Sequence, residues 1–356
     1  MPKGVSQAVE KTLGSGYLAE GEKVQEFTKQ IENYIGNNNV VCMNSCTTAL
    51  TIAYRLSGVV PGSEVISTPL TSICTNAPLL GLGAKIVWAD CDPKTGMVDP
   101  NHIESLINAN TKALVVLHKD GDLADLDSLY KLTQKHKIKL IEDAAHAFGA
   151  EYDGKKIGNH GDFVCFSFQA IKHITSGDGG ALVCKSYNHY KKAQELKWLG
   201  INKFDNPGVN PWTIDIKDWG YKGNMNDISA TIGLEQMKHV DNVIEKFHNN
   251  GLLYDKLLKS VKNIELIPRR EIDKPIFWTY CFLADRRDDL IKLLNDNGIE
   301  AGVVHPRNDN YSVLSDFKKP LPGLDYFATR EINLPCGWWI NENDIIKIVD
   351  IIKMGW

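Results

Sequence analysis

The sequence predicts an α/β protein with a mostly parallel sheet in a large domain and a smaller α+β domain at the C-terminal end. Short apolar segments alternate with helical segments from residue 40 to residue 143. A long irregular stretch rich in Pro, Gly, Asn and Trp follows at 201–224, and a shorter mixture of strands and helices begins near residue 263. We therefore predict a large domain over 1–240, with an N-terminal helical segment, and a small domain over 241–356.

The elements of the large domain follow in chain order. Residues 22–36 carry apolar side chains at helical spacing and end in a glycine. The predicted strands are 40–43, 64–68, 85–90, 113–118, 139–143, 164–168 and 180–184. The helices predicted between them are 47–58, 71–81, 100–108 and 125–136. Apolar strands alternating with helices indicate a sheet that is covered on both faces.

The remaining elements are predicted from the same periodicities. Helices are expected at 187–197, 286–297 and 343–353, with one or two long helices over 225–261. Strands are expected at 277–285 and 301–305. The irregular stretch at 201–224 is too long for a routine connection, so we predict a functional or interface loop there.

Composition excludes several classes of protein. The 356 residues carry a formal net charge of −4, so no basic field favours nucleic acid. No apolar run reaches the roughly 20 residues that span a bilayer, and the N-terminus has no apolar secretion signal. The eight cysteines show no CxxC or Cys/His metal spacing. We expect reduced cysteines, no metal site and a cytoplasmic location.

Two side chains at predicted strand ends indicate cofactor chemistry. Lys172 follows the strand at 164–168, and Asp143 ends the strand at 139–143. In such sheets ligands gather at the carboxyl ends of the strands. A lysine amine there can form a Schiff base with pyridoxal phosphate (PLP), and a carboxylate can hold the pyridine nitrogen protonated. Each residue also has an ordinary interpretation, as a solvated lysine and a helix-capping aspartate.

Several motifs in order resemble one family of enzymes. They are SGYLAEGEKVQEF (15–27), NSCTTAL (44–50), ADCDPKTGMVDP (89–100), HKDGDLADLD (118–127), IEDAAHAFGAEYDGKKIGNHGDFVCFSFQAIKHITSGDGG (141–180), DWGYKGNMNDISATIGLEQM (218–237) and NLPCGWW (333–339). The chain is similar in these motifs to the DegT/DnrJ/EryC1/StrS family of PLP-dependent sugar aminotransferases. The resemblance implies the type I fold of aspartate aminotransferase.

The resemblance implies one catalytic residue, Lys172, and two further side chains that bind the cofactor ring, Asp143 and His146. Lys172 would form the internal aldimine with PLP and then act as the general base, which requires a lowered pKa. Asp143 matches the partner of the pyridinium nitrogen. His146 stands where many relatives carry glutamine, near the phenolic oxygen of the cofactor. Pyridoxamine phosphate is then the intermediate form of the cofactor.

The cofactor phosphate is assigned to hydroxyl, amide and ammonium groups. Thr47 and Thr48 lie in a strand-to-helix turn that suits an anion, although ordinary helix capping gives the same local pattern. Ser167 matches a further phosphate ligand. Lys222 replaces a family asparagine that reaches the cofactor of the neighbouring subunit, which implies a homodimer. Ser72 falls where relatives often place an aromatic ring over the cofactor.

The substrate side rests on the segment VVHPRND (303–309). It resembles the VHxRND of viosamine-synthase-like 4-aminotransferases, which makes His305, Arg307 and Asn308 candidate contacts to the sugar or the diphosphate. An exposed loop arginine is an equally good interpretation of Arg307. The resemblance does not assign the nucleotide, which can be dTDP, UDP or GDP.

The implied reaction moves an amino group from L-glutamate to a nucleotide-linked 4-keto-6-deoxyhexose. The product would be a 4-amino-4,6-dideoxy sugar nucleotide of the viosamine or perosamine type, for use in a glycan. A 3-keto specificity within the same family remains open, and so does a non-catalytic regulatory protein of the same fold. The presence of both Lys172 and Asp143 favours an enzyme.

Overall fold

Seven strands form the central sheet in a computed structural model that describes residues 1–356. The strands of the chain are β1 (Val40–Met43), β2 (Glu64–Ser67), β3 (Lys85–Trp88), β4 (Thr111–Leu117), β5 (Lys139–Asp143), β6 (Glu151–Tyr152), β7 (Lys155–Lys156), β8 (Phe163–Ser167), β9 (Gly180–Cys184), β10 (Ile264–Leu266), β11 (Tyr280–Ala284) and β12 (Glu331–Leu334). The order in the central sheet is β1-β9-β8-β5-β4-β2-β3.

Twelve helices surround the strands. They are α1 (Val5–Gly14), α2 (Glu22–Ile35), α3 (Cys46–Leu56), α4 (Ile73–Gly81), α5 (Pro100–Leu106), α6 (Leu126–His136), α7 (Tyr187–Leu196), α8 (Asp227–Met237), α9 (Val240–Leu258), α10 (Arg287–Asp296), α11 (Pro322–Ala328) and α12 (Glu342–Lys353). No helix of the structure is both long and apolar enough to cross a membrane.

Strand direction brings three chain turns to one edge of the central sheet. β5 is parallel to β4 and β8, while β9 runs antiparallel to both β8 and β1. β1, β5 and β8 therefore point the same way, and their carboxyl ends are Met43, Asp143 and Ser167. The segments that follow these three residues meet at the same edge, where ligands of α/β sheets bind.

The central sheet separates two apolar cores. In β1, Val40 and Cys42 belong to one core, whereas Val41 and Met43 belong to the other. This alternation follows from the two-residue repeat of a strand and explains why β1 is apolar at every position. The mostly parallel α/β sheet predicted from the sequence is confirmed.

A third core lies in the C-terminal part of the chain. It contains buried apolar side chains from Tyr254 to Ile352, and β10, β11 and β12 form an antiparallel sheet there. The mixture of strands and helices agrees with the predicted α+β character. The exact division at residue 240 stays a prediction.

The structure differs from the predicted elements in several places, and β6, β7, β10, β12 and α11 were not predicted. The strand predicted at 301–305 is wrong: Gly302 makes a single bridge to Asn333, and the chain then turns away so that the Asn308 N–H donates to the carbonyl of Pro69 at 2.8 Å. The strand predicted at 277–285 is limited to β11, since Phe277 has a φ of +39°. Helix α1 was not predicted from the sequence, because few of its side chains are buried.

Candidate active site

A cavity of about 380 Å³ opens at the carboxyl edge of the central sheet. Six of the residues predicted from the sequence line it: Thr47, Asp143, His146, Ser167, Lys172 and His305. Five of them come from turns after β1, β5 and β8 or from the ends of those strands, as the strand directions require. His305 reaches the cavity from the C-terminal part of the chain. The other four predicted residues, Thr48, Lys222, Arg307 and Asn308, lie outside the cavity.

Lys172 sits in the turn after β8, where its N–H donates to the carbonyl of Gln169 at 2.9 Å. The side chain is half-buried, and its Nζ lies 3.8 Å from the ring centre of Trp278. Burial lowers the pKa of Lys172 to about 8, although the Asp143 carboxylate opposes that shift. A substantial fraction of the amine is therefore unprotonated near neutral pH, as nucleophilic and basic roles require.

Asp143 ends β5 and is buried, with 4% of its surface exposed. Its Oδ2 accepts a hydrogen bond from Thr75 Oγ1 at 2.6 Å, and its Oδ1 accepts one from the N–H of Ala145 at 3.2 Å. Burial raises the pKa of this carboxyl, while both hydrogen bonds oppose the rise. The arrangement fixes the orientation of a carboxylate whose preferred partner is a cation or a strong N–H donor.

The N-terminus of α3 forms the opposite wall. Ser45 caps this helix, and its hydroxyl accepts from the N–H of Thr48 at 3.1 Å. The first two helical residues, Cys46 and Thr47, line the cavity together with Ser167. Uncapped N–H groups of a first turn, together with neighbouring hydroxyls, favour an anion such as a phosphate.

Thr48 is already occupied by local hydrogen bonds. Its N–H is taken by Ser45, and its Oγ1 donates to Asn44 Oδ1 at 2.7 Å on the outer side of the helix. Of the two predicted threonine ligands, the structure therefore brings only Thr47 to the cavity. The sequence could not distinguish them, because neighbouring helical residues point about 100° apart around the axis.

His146 is buried against aromatic rings. It stacks on Trp278 with ring centres 3.9 Å apart, and the parallel ring of His305 lies 5.3 Å away. Burial holds the pKa of His146 well below its usual range, and the nearby charge of Lys172 adds to the effect. Burial also lowers the pKa of His305 to about 4. Both imidazoles are neutral near pH 7, so each carries one donor and one acceptor.

Asn308 and Arg307 hold the loop around them in place. Asn308 is buried, accepts from Asn76 Nδ2 at 2.8 Å, and donates to the carbonyl of Thr71 at 2.6 Å. Arg307 is paired with Asp309 at 2.7 Å and with Asp325. Arg307 thus needs to break existing ion pairs before it can bind a phosphate.

Lys222 lies beside the N-terminus of α3 but outside the cavity. Its carbonyl accepts from Asn44 Nδ2 at 3.3 Å, and its exposed Nζ donates to Asn224 Oδ1 at 2.8 Å. It forms no ion pair within the chain. It does not line the cavity of its own chain.

Sequence reasoning missed Trp278 and Thr75. Trp278 lines the cavity and donates its Nε1–H to the carbonyl of Ile171 at 2.8 Å, which fixes the backbone next to Lys172. Its position before β11 gave no local signal, since a tryptophan near a strand is usually a core residue. Thr75 lies in TPLTSICTN (68–76), where nothing in the local sequence indicates that its hydroxyl orients Asp143.

The residues fit PLP chemically. An amine with a lowered pKa, a buried and oriented carboxylate, and the first turn of α3 with its free N–H groups all line one cavity. They match the aldehyde, the pyridine nitrogen and the phosphate of the cofactor, respectively. The cavity contains no arrangement of His, Cys and carboxylates with metal-ligand spacing; the one such cluster, Asp120, Cys281 and Glu331, has the Lys119 ammonium in contact with all three side chains.

The fold and the site together define a PLP-dependent aminotransferase. The family model described as the DegT/DnrJ/EryC1/StrS aminotransferase family matches residues 2–353. The chain therefore belongs to the DegT/DnrJ/EryC1/StrS aminotransferase family, as the motifs predicted.

Named relatives agree with this membership over nearly the full chain. The spore coat polysaccharide biosynthesis protein SpsC of Bacillus subtilis is 37% identical over 98% of this chain and 93% of its own. The UDP-4-amino-4-deoxy-L-arabinose–oxoglutarate aminotransferase of Shewanella sediminis is 31% identical over 97% and 94%. The crystal structure of the sugar aminotransferase CalS13 from Micromonospora echinospora superposes with a TM-score of 0.96 at 35% identity, covering 100% of this chain and 98% of that one.

Proposed function

We propose that this enzyme transfers the amino group of L-glutamate to a nucleotide-linked 4-keto-6-deoxyhexose and releases a 4-amino-4,6-dideoxy sugar nucleotide. The observation that carries the proposal is the pairing, in one cavity, of the Lys172 amine of lowered pKa with the buried carboxylate of Asp143. Family membership supplies amino transfer as the reaction type.

PLP, when bound, would accept the electrons of the Cα–H bond of glutamate as the α-proton is removed. The Lys172 Nζ would take up that proton in the first half-reaction and would donate a proton to the sugar carbon that receives the amine in the second, and its pKa near 8 allows both directions of transfer. The Asp143 carboxylate holds the proton on the pyridine nitrogen. Thr47, Ser167 and the first turn of α3 line the cavity and would bind the phosphate of the cofactor.

Two considerations support a ketone at C4 of the sugar as the amino acceptor and glutamate as the amino donor. The Shewanella relative is named for a 4-amino sugar nucleotide and for oxoglutarate, the keto acid that glutamate becomes on losing its amine. The segment 303–309 points the same way through its resemblance to 4-aminotransferases, and His305 from that segment lines the cavity. The named sugar of that relative is an arabinose, whereas a relative from Campylobacter jejuni, 29% identical to this chain, is named for a 4-amino-4,6-dideoxy sugar nucleotide. The 6-deoxyhexose is supported by that name and by the motif.

A two-step exchange predicts ping-pong kinetics. The purified enzyme should therefore give parallel double-reciprocal lines when glutamate and the keto sugar nucleotide are varied. A panel of 4-keto and 3-keto sugars carried on dTDP, UDP and GDP should yield an aminated product from a 4-keto member, identified by mass and NMR. A product only from the 3-keto members would favour the alternative specificity.

Tests of Lys172 distinguish an enzyme from a non-catalytic regulatory protein of this fold. Borohydride reduction followed by peptide mapping should place the pyridoxyl group on Lys172, and Lys172→Ala should remove both the label and amino transfer. Lys347→Ala, which changes an exposed lysine of α12, is the matched control and should behave as wild type. A wild-type protein that binds PLP and transfers no amino group to any sugar of the panel would support the non-catalytic alternative.

We further propose a homodimer in which Lys222 of one chain contacts the cofactor phosphate bound by the other. The exposed Nζ beside α3, which forms no ion pair within the chain, supports this role. We also propose a cytoplasmic location, which suits the eight unpaired cysteines.

A further inference from the structure

The turn after β4 contacts His146 through its backbone. It comprises His118, Lys119, Asp120 and Gly121, all of which are buried. Asp120 adopts a left-handed conformation with φ +57° and ψ +10°, which a residue with a side chain rarely adopts. In this conformation the Asp120 N–H donates to Nδ1 of His146 at 3.3 Å.

Side chains from the C-terminal part of the chain hold this turn. Asp120 Oδ2 accepts from Asn333 Nδ2 at 2.9 Å and from the Lys119 ammonium. Lys119 also pairs with Glu331 Oε2 at 2.8 Å. Asn333 and Glu331 both belong to β12, so the turn is attached to the C-terminal sheet by a buried network of hydrogen bonds and ion pairs. This network compensates for the strained backbone at Asp120.

The contact decides which nitrogen of His146 carries the proton. Nδ1 accepts a hydrogen bond only when it is unprotonated, so the neutral ring carries its proton on Nε2. Nε2 has no hydrogen-bond partner within the chain, and the ring lines the cofactor cavity. Positive charge on the neighbouring groups opposes the addition of a second proton to the ring and lowers the pKa of His146; these groups are Lys172, His305, His173 and Lys119.

We propose that Asp120 is a positioning residue that holds His146 as the Nε2–H tautomer, so that the imidazole donates a hydrogen bond into the cofactor cavity. Its left-handed backbone presents the N–H, and its carboxylate fastens the turn to Asn333 and Lys119. The inference deepens the proposed function, because it rests on this cavity being the cofactor site. Glutamine offers a donor without tautomers, so only a histidine at this position needs such a device.

The first test measures the tautomer directly. Holoenzyme labelled with ¹⁵N-histidine should show His146 as a single Nε2–H tautomer in long-range ¹H–¹⁵N spectra, with the signals assigned by their loss in His146→Gln. A His146 with the proton on Nδ1, or a mixture of tautomers, would overturn the proposal. This readout does not depend on amino transfer, so it remains decisive even if the proposed substrate is wrong.

Variants of Asp120 separate the backbone from the side chain. Asp120→Gly keeps the N–H and adopts a positive φ without strain, so His146 should stay the Nε2–H tautomer. Asp120→Ala has neither the carboxylate nor that freedom, so a mixture of tautomers should result. If Asp120→Ala gives the wild-type spectrum, the proposal is wrong. Should that variant not fold, Asp120→Gly carries the test: a His146 in that variant with the proton on Nδ1, or with a mixture of tautomers, would contradict the proposal.

A kinetic cycle tests whether Asp120 acts through His146. Asp120→Ala should slow the half-reaction with glutamate by about tenfold in the wild-type background and by less than about twofold in His146→Gln. Equal slowing in both backgrounds would show a merely structural role and would contradict the proposal.

Discussion

At the scale of single residues, environment gives Lys172 and Asp143 their chemistry. Both are ordinary side chains whose titration is changed by burial, in opposite directions. Burial disfavours the charged form of each, which lowers the pKa of the amine and raises the pKa of the carboxyl. The amine becomes a better nucleophile near neutral pH, and hydrogen bonds from Thr75 and Ala145 keep the carboxylate available.

The pKa of Lys172 leads to a pH prediction. Only the unprotonated amine captures an aldehyde, so the rate at which the apoprotein binds PLP should rise about tenfold per pH unit below pH 8. It should level off above that pH, since the amine is then largely unprotonated. The rise of the bound cofactor's absorbance after mixing measures this rate. A rate that keeps climbing past pH 9 would mean that the amine is not desolvated.

Thr75 gives a second prediction at this scale. Thr75→Val keeps the shape but removes the donor to Asp143, and a hydrogen bond to a charged group is worth about 1.5–3 kcal/mol. We expect kcat to fall at least tenfold and PLP to bind more weakly. Thr75→Ser retains the hydroxyl and serves as the control, with activity close to wild type. Equal activity of the two variants would rule out this orienting role.

At the scale of elements, the contact between β9 and α3 sets the anion site. Gly180 begins β9, and a Cβ at this position would lie 2.4 Å from the backbone N of Cys46 and from the backbone carbon of Ser45. No real Cβ approaches a backbone so closely, so only glycine lets the first turn of α3 come this near to the sheet. The glycine thereby fixes where the phosphate would bind relative to Lys172.

Gly180→Ala should therefore displace the N-terminus of α3. We expect the Kd for PLP, measured by titration of the apoprotein, to rise at least tenfold, because the amide donors move away from the phosphate position. Gly14→Ala is the matched control, since a Cβ there meets nothing within 4 Å. Unchanged affinity in Gly180→Ala would show that the anion lies elsewhere.

At the scale of the whole molecule, the site is completed from distant parts of the chain. Trp278 and His305 come from beyond residue 258, yet both line the cavity formed by the carboxyl ends of β5 and β8. The buried cluster of Lys119, Asp120 and Glu331 links the same two parts. A substitution that weakens this cluster should therefore alter the hydrogen bond to His146 before it unfolds the central sheet.

Mixed dimers test the proposed contact of Lys222. We expect the Lys172→Ala and Lys222→Ala proteins to have little activity alone. The two proteins are mixed, their subunits are separated by mild denaturation, and the subunits are then allowed to reassociate. If Lys222 acts across the interface, a mixed dimer has one site with both lysines, and activity should return to about a quarter of wild type. If Lys222 serves its own chain, every site lacks one lysine and no activity returns. Sedimentation of the wild type should give the mass of two chains.

The sequence by itself predicted the α/β fold, the family and the residues at the strand ends. The periodicity of apolar residues and the order of strands and helices along the chain can be read directly from the sequence. Because parallel strands bring the residues that follow them to one edge of the sheet, Lys172, Asp143 and Ser167 could be placed together in advance. The motifs then supplied the reaction class.

Only the tertiary structure decided the roles that depend on packing. It showed that Thr47 faces the cavity while Thr48 faces away, that Arg307 is bound by two aspartates, and that Trp278 contacts Lys172. It also revealed the backbone bond from Asp120 to His146. Such contacts join residues far apart in the chain, and their geometry depends on how helices and sheets pack, which local sequence patterns do not encode.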